Sequence, residues 1–126
     1  MAGEQILVVE DNEKNMKLLR DVLQATGYRA LEASTAERGL ALAVEHSPAL
    51  ILMDIRLPDM DGVEALNRLR MDERTAAIPV LAVTAQAMKG DQERFMQAGF
   101  DGYLSKPVDV DELLEAVVRF CNTGGR

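Results

Sequence analysis

The sequence predicts an α/β domain in which a parallel sheet of five strands is covered by helices on both faces. Short aliphatic runs, typical of strands, alternate five times with stretches whose apolar residues recur every three or four positions, as in helices. Such alternation favours a parallel sheet, because right-handed crossovers place the helices on its two faces. The length of 126 residues corresponds to one domain.

The predicted strands are bounded by turn residues. Three of them are the continuous aliphatic runs ILVV, LILM and PVLAV, which are typical of strands buried on both faces of a parallel sheet. In chain order we place the five strands at residues 6–9, 28–33, 50–53, 79–83 and 102–105.

The predicted helices follow the strands and have recognisable ends. We place them at residues 15–26, 34–46, 63–71 and 90–98, with the fifth after Asp109. Gly27 and Gly99 follow two of them, and glycine favours the left-handed backbone that ends a helix. Ser34 and Asp109 are the predicted caps of the second and fifth helices, each with a glutamate three residues later, as in a capping box. We expect the fifth helix to bury Leu114, Val117, Val118 and Cys121.

The composition limits the classes of partner and location. The formal net charge of −7 repels phosphate backbones, so we expect no direct nucleic-acid binding. The single cysteine, Cys121, excludes an internal disulfide and suits a reducing compartment. No apolar run approaches the roughly 20 residues that cross a bilayer, and the MAGEQ start lacks the pattern of a signal sequence. We therefore expect a cytoplasmic protein without membrane insertion.

Polar side chains follow four of the predicted strands. Glu10 and Asp11 come after the first strand, Asp54 after the third, Thr84 after the fourth and Lys106 after the fifth. In an open parallel sheet the carboxyl ends of the strands form the ligand-binding edge. Three carboxylates, a hydroxyl and an ammonium group should therefore meet at one edge.

This set of groups favours phosphoryl chemistry with a metal ion. Two carboxylates about 5 Å apart repel each other by roughly 3 kcal/mol at an effective dielectric near 20, so the site needs a cation. Oxygen ligands suit Mg²⁺, which keeps several waters and can bridge to a phosphate. One carboxylate can then act as a nucleophile while the metal and the ammonium group neutralise charge on the phosphoryl oxygens.

Each of these residues also has a purely structural interpretation. Glu10 and Asp11 could favour the start of the first helix, Asp54 could begin a turn, Thr84 could be a strand-end hydroxyl and Lys106 a solvated charge. Taken singly, the structural interpretation is preferred for most of them. Taken together, polar groups at the same end of four strands are poorly explained by chance.

The motifs ILVVEDN, ILMDIRLPDMDG, VTA and YLSKP, in this order, resemble the CheY-like receiver domains of two-component response regulators. The resemblance covers roughly residues 5–121 and implies a flavodoxin-like fold with strand order 2-1-3-4-5. It also implies one receiver domain over residues 1–126, with 122–126 as a flexible tail. The implied function is that of a phosphoacceptor in a two-component or phosphorelay pathway. Such a domain is a signalling switch that catalyses only its own phosphoryl transfer and dephosphorylation.

The resemblance implies a role for each residue of the metal site. Asp54 corresponds to the phospho-acceptor and is also a Mg²⁺ ligand. Asp11 corresponds to a direct ligand, Glu10 to a ligand through water, and Arg56 supplies its backbone carbonyl.

The resemblance also implies how the signal is transmitted. Thr84 and Lys106 correspond to the pair that senses the phosphoryl group, and Tyr103 occupies the aromatic switch position. Pro107 corresponds to a proline whose preceding peptide bond is cis.

The implied partners are a sensor histidine kinase or a histidine phosphotransferase, and a downstream protein bound through the fourth helix, fifth strand and fifth helix. The stretches EDNEKNMKLLRDVL and VTAQAMKGD are most similar to stand-alone receivers of the DivK type. A receiver from a larger regulator or hybrid kinase could have the same features.

Three other functions compete with this one. An aspartyl-phosphate phosphatase or phosphotransferase typically has a second acid two residues after its nucleophile, where this chain has Arg56 and hence no general acid. A flavin- or nucleotide-binding module would need a glycine-rich or hydroxyl-rich loop after the first strand, where this chain has an acidic pair. A receiver used only as a scaffold would lack Asp54, Thr84 or Lys106, and all three are present.

Overall fold

The computed structural model describes residues 3–85 and 89–124, so residues 86–88 of the VTAQAMKGD stretch lie outside the described part of the chain. Strands and helices alternate five times, as predicted. In chain order they are β1 Gln5–Val9, α1 Glu13–Ala25, β2 Arg29–Ala33, α2 Ala36–His46, β3 Leu50–Asp54, α3 Gly62–Met71, β4 Val80–Thr84, α4 Lys89–Ala98, β5 Gly102–Ser105 and α5 Val110–Gly124.

The five strands form one parallel sheet with the order β2-β1-β3-β4-β5, which confirms the predicted fold class and strand order. All residues of β3 and β4 are buried, whereas the edge strands β2 and β5 are buried only in part. This difference explains why the central strands are continuous aliphatic runs.

Alternation along each strand divides the apolar residues between the two faces of the sheet. Leu7 and Met53 belong to a core shared with α2, α3 and α4, while Val8 and Leu52 belong to one shared with α1 and α5. Two cores hold the same sheet from opposite sides, so the carboxyl edge of the strands rests on a rigid support.

The structure corrects the predicted cap of α2. Thr35, and not Ser34, has the extended backbone of an N-cap, and its Oγ1 accepts a hydrogen bond from the Arg38 backbone N–H at 3.2 Å. The two preceding helix N–H groups, of Ala36 and Glu37, donate to Asp59 from the β3–α3 loop. The local pattern could not show this contact, because Asp59 lies more than 20 residues away in the sequence.

The structure also corrects two predictions for α5. The buried residues are Leu113, Val117 and Cys121, one helical turn apart. Leu114 is only partly buried and Val118 is 49% exposed, because each is rotated about 100° from its buried neighbour. The helix continues to Gly124, so Asn122 to Gly124 are helical and do not belong to the predicted tail.

Other predicted ends of the helices are confirmed. Gly27 and Gly99 have φ angles of 95° and 113°, the left-handed conformation expected after a helix. Asp109 accepts a hydrogen bond from the Glu112 backbone N–H at 3.1 Å, as a cap of α5 should. Among the described residues, each helix is too short or too polar to cross a bilayer.

Candidate functional site

The predicted site residues lie together at the carboxyl edge of the sheet. Glu10 and Asp11 directly follow β1, Asp54 ends β3, Thr84 ends β4 and Lys106 directly follows β5. Glu10, Asp54 and Thr84 are buried, and Asp11 is exposed at the mouth of the site. The site residues meet because the strands are parallel and pair side by side, so their carboxyl ends lie at the same edge of the sheet.

The acidic residues form a cluster that suits a small divalent cation. One carboxylate oxygen from each of Glu10, Asp11 and Asp54 lies within 4.8 Å of the other two. The donor set consists of oxygens alone, two of the residues are buried and one is open to solvent. Mg²⁺ prefers such hard ligands and keeps waters on its open side, so these residues fit it.

Lys106 lies between two of these carboxylates. Its Nζ is 2.9 Å from Glu10 Oε1 and 3.2 Å from Asp54 Oδ2, and its side chain is 17% exposed. The acidic cluster has three carboxylates and Lys106 brings one positive charge to it, so negative charge remains in excess. A bound cation would reduce that excess.

Burial and charge shift the pKa values of this pair. Burial raises the pKa of Glu10, and the negative charge of Asp54 raises it further. The hydrogen bonds from Lys106 and the Asn12 N–H lower this pKa but do not cancel the rise. Burial alone would lower the pKa of Lys106, but the hydrogen bond to Glu10 and the charges of Asp54 and Glu10 outweigh it and raise that pKa. Lys106 therefore remains a cation at physiological pH.

The Asp54 carboxylate is held by both of its oxygens. Oδ2 contacts the Lys106 ammonium, and Oδ1 accepts a hydrogen bond from the Arg56 backbone N–H at 3.1 Å. These contacts fix the orientation of the carboxylate. They also place the Arg56 backbone next to the acidic cluster.

Gly62 fixes the loop between β3 and α3, a role that the sequence did not reveal. Its N–H donates to the Ile55 carbonyl at 2.8 Å, and Arg56 and Asp61 form an antiparallel bridge across the loop. A Cβ at Gly62 would lie 2.8 Å from Ile55 Cα and 2.9 Å from the Asp54 carbonyl oxygen. The only sequence signal was the presence of glycine in this loop.

The remaining predicted residues lie around β5. Tyr103 is partly buried against the core that includes α2, α3 and α4. The Lys106–Pro107 peptide bond is cis, as the resemblance implies. The Lys106 N–H donates to the Thr84 carbonyl at 2.9 Å, which ties the ends of β4 and β5 together beside Asp54.

The sheet has the order β2-β1-β3-β4-β5, and its carboxyl edge holds a buried aspartate together with an acidic pair and a lysine. These features define the class of signalling domains that are phosphorylated on an aspartate. The model of the response regulator receiver domain family matches residues 6–118, which is most of the chain. The chain therefore belongs to this family and is part of a two-component signalling system. Phosphorylation on an aspartate is a general property of the family, and its members are signalling switches and not enzymes in the usual sense.

A curated relative is similar over nearly the whole chain. The polar-differentiation response regulator DivK of Brucella ovis is 48% identical over 114 residues, which cover 90% of this chain and 93% of that protein. This similarity confirms the predicted likeness to the DivK type.

Two solved structures share the fold and about a third of the sequence. The receiver domain of a sensor histidine kinase from Pseudomonas aeruginosa is 36% identical with a TM-score of 0.88, and the match covers 96% of this chain and 99% of that one. That domain has a magnesium ion coordinated in its active-site cleft. A CheY-like receiver domain protein from Methanospirillum hungatei is 30% identical with a TM-score of 0.87, and 98% of each chain is covered.

Proposed function

We propose that Asp54 accepts a phosphoryl group from a sensor histidine kinase or a histidine phosphotransferase. The observation that carries this proposal is the setting of Asp54, which is 6% exposed, contacts Lys106 Nζ at 3.2 Å and shares an oxygen cluster with Glu10 and Asp11. An Asp54 oxygen attacks phosphorus, the bond from phosphorus to the histidine nitrogen breaks, and the electron pair of that bond stays on the imidazole. The product is an acyl phosphate.

The carboxylates of Asp11 and Asp54 and the backbone carbonyl of Arg56 would hold Mg²⁺, with Glu10 bound through water. The cation would neutralise charge on the phosphoryl oxygens. Receiver domains bind Mg²⁺ in this cleft, and the cluster here offers the matching donors. Lys106 pairs with one phosphoryl oxygen, and the Thr84 hydroxyl donates to another.

The signal would leave the site through α4, β5 and α5. Tyr103 lies in β5 next to a cleft of about 490 Å³ that is also lined by Met96 of α4 and Phe120 of α5. A rearrangement of Thr84 toward the phosphoryl group would change the packing around Tyr103 and so the shape of this face. A downstream protein that binds one shape better would read the change.

The competing enzymatic function has less support at this site. The position two residues after Asp54 is held by Arg56, whose side chain is exposed and cannot act as a general acid at pH 7. We infer that catalysis is limited to the domain's own phosphorylation and dephosphorylation, in a cytoplasmic protein that binds other proteins and not nucleic acid.

Intact-protein mass spectrometry after incubation with acetyl phosphate and Mg²⁺ tests this proposal. The wild-type protein should gain one phosphoryl group, and Asp54→Asn should gain none, because an amide is a poor nucleophile. Asp21→Asn is the matched control, since Asp21 is an exposed acid on α1, and it should be labelled like the wild type. Full labelling of Asp54→Asn would show that another residue is the acceptor.

A further inference from the structure

The β3–α3 loop is attached to the rest of the molecule at its tip as well as at its base. At the tip, Asp59 Oδ1 accepts a hydrogen bond from the Ala36 N–H at 2.9 Å, and Oδ2 accepts one from the Glu37 N–H at 3.0 Å. At the base, the Gly62 N–H donates to the Ile55 carbonyl. The loop between these points contains Arg56, whose N–H donates to Asp54.

We propose that Asp59 is a positioning residue for the cation site and acts through the backbone of the β3–α3 loop. Both of its oxygens are held by helix N–H groups that point out of the α2 N-terminus, where a negative charge is favoured. The hydrogen bonds fix the tip of the loop against a helix that is itself packed on the sheet. The loop is then confined, and with it the Arg56 carbonyl that would bind the cation. This inference rests on the proposed role of that carbonyl.

The alternative is that Asp59 only caps α2. The structure separates the two roles, because α2 has a second cap in Thr35, whose Oγ1 accepts from the Arg38 N–H at 3.2 Å. Thr35 is the residue directly before the helix that it caps. Asp59 instead belongs to the β3–α3 loop, which begins at the site residue Asp54. Removal of either cap should weaken the start of α2, but only removal of Asp59 should loosen the loop.

Calorimetric titration with Mg²⁺ tests the inference in the wild type, Asp59→Ala, Asp59→Asn and Thr35→Ala. We expect Asp59→Ala to bind Mg²⁺ about tenfold more weakly, the lower end of the range for residues that orient metal ligands. Asp59→Asn keeps one acceptor oxygen and should fall between Asp59→Ala and the wild type. Thr35→Ala should bind Mg²⁺ within about twofold of the wild type, because the Ala36 and Glu37 N–H groups still donate to Asp59 in that variant.

Labelling with acetyl phosphate gives a second readout that a cap alone would not change. The rate for Asp59→Ala should fall at low Mg²⁺ and recover at saturating Mg²⁺, while Thr35→Ala should follow the wild type at both concentrations. Equal Mg²⁺ affinity in Asp59→Ala, Thr35→Ala and the wild type would overturn the inference, and so would an equal loss in both variants. A wild-type protein that binds no Mg²⁺, or an Asp54→Asn variant that is labelled, would instead contradict the proposed function.

Discussion

Lys106 is the residue on which the charge balance of the site depends. Its ammonium group lies within 3.2 Å of both Glu10 and Asp54, whose side chains are only 1% and 8% exposed. Carboxylates with so little access to water are costly to bury unless a cation pairs with them. In the proposed function the same position would allow Lys106 to pair with a phosphoryl oxygen, and one residue would then serve both the stability of the domain and its chemistry.

Substitution of Lys106 by alanine should therefore destabilise the metal-free protein. We expect a loss of about 2 kcal/mol, below the roughly 3–5 kcal/mol for breaking a fully buried pair, because the Lys106 side chain is 17% exposed. Urea unfolding in the presence of EDTA measures the loss. Lys17→Ala is the control, since Lys17 is 69% exposed in a surface pair with Asp21, and it should cost less than about 0.5 kcal/mol. Equal stabilities of the two variants would contradict this account of Lys106.

The buried thiol of Cys121 should make the stability of the domain depend on pH. Burial raises the pKa of its thiol to about 11, and the charge of Glu4 adds to the effect. An unfolded cysteine has a pKa of about 8.5. Because the folded pKa lies above the unfolded one, the thiol's contribution to stability is complete below about pH 8.5 and is lost as the pH rises through about 11.

The free energy of unfolding should therefore fall more steeply between pH 9 and 11 in the wild type than in Cys121→Ala. The difference between a pKa of about 8.5 in the unfolded chain and about 11 in the folded one corresponds to at most about 3–4 kcal/mol. Urea unfolding across this pH range gives the slope of the unfolding free energy against pH for each protein. The slopes are compared, and not the free energies themselves, because the alanine variant also loses packing at every pH. Parallel slopes would show that the thiol titrates equally in the folded and unfolded chains.

At the scale of elements, the β3–α3 loop brings helix α3 very close to the end of β3. Gly62 is the first residue of α3, and only a residue without a side chain fits against Ile55 and the Asp54 carbonyl there. The adjoining Asp61 caps the helix by accepting from the Val63 N–H at 2.7 Å. The loop thereby links the orientation of Asp54 to the packing of a whole helix.

Gly62→Ala should destabilise the protein and slow its phosphorylation. The contacts of 2.8 and 2.9 Å are with backbone atoms, which can move only if the loop shifts, so we expect a cost of about 1–3 kcal/mol. Gly90→Ala in α4 is the matched control, because its Cβ would meet nothing within 4 Å. It should be neutral or stabilise the protein by up to about 1 kcal/mol. Thermal unfolding and acetyl phosphate labelling measure both effects, and identical results for the two variants would refute the role of Gly62.

The elements show which parts of this structure a sequence can predict. Positions of strands and helices follow from local periodicity, so their order and the convergence of Asp54, Thr84 and Lys106 were predictable. The contacts of Asp59 with α2 and of Gly62 with the end of β3 depend on the packing of the loop against distant backbone. Neither hydrophobic periodicity nor a capping pattern reveals such contacts. For this reason Ser34 was wrongly predicted as the cap of α2.

At the scale of the whole molecule, the sheet connects the site to the α4–β5–α5 face. Thr84 is buried at the end of β4 and pairs with Ser105, and Tyr103 lies two residues earlier on β5 against a core shared with α4. Two neighbouring strands, β4 and β5, thus lead from the site to this face. A shift of Thr84 would act on β5 directly, without a change in the fold.

Thr84→Ala should therefore weaken transmission of the signal and leave phosphorylation largely intact. Hydrogen exchange with and without a beryllofluoride phosphate mimic measures the response of α4, β5 and α5. We expect a clear change of protection in the wild type and a much smaller one in Thr84→Ala, because alanine cannot donate a hydrogen bond to the phosphoryl oxygen.

A buried threonine elsewhere separates this coupling from a general loss of stability. Thr75 is 1% exposed and its hydroxyl donates to the Leu69 carbonyl at 2.7 Å, away from the site. Thr75→Ala should destabilise the protein by about 1 kcal/mol and keep the full response to the mimic. If Thr84→Ala also kept the full response, Tyr103 and the α4–β5–α5 face would have to be reached by another route, most directly through Lys106, which follows β5 and contacts Asp54 itself.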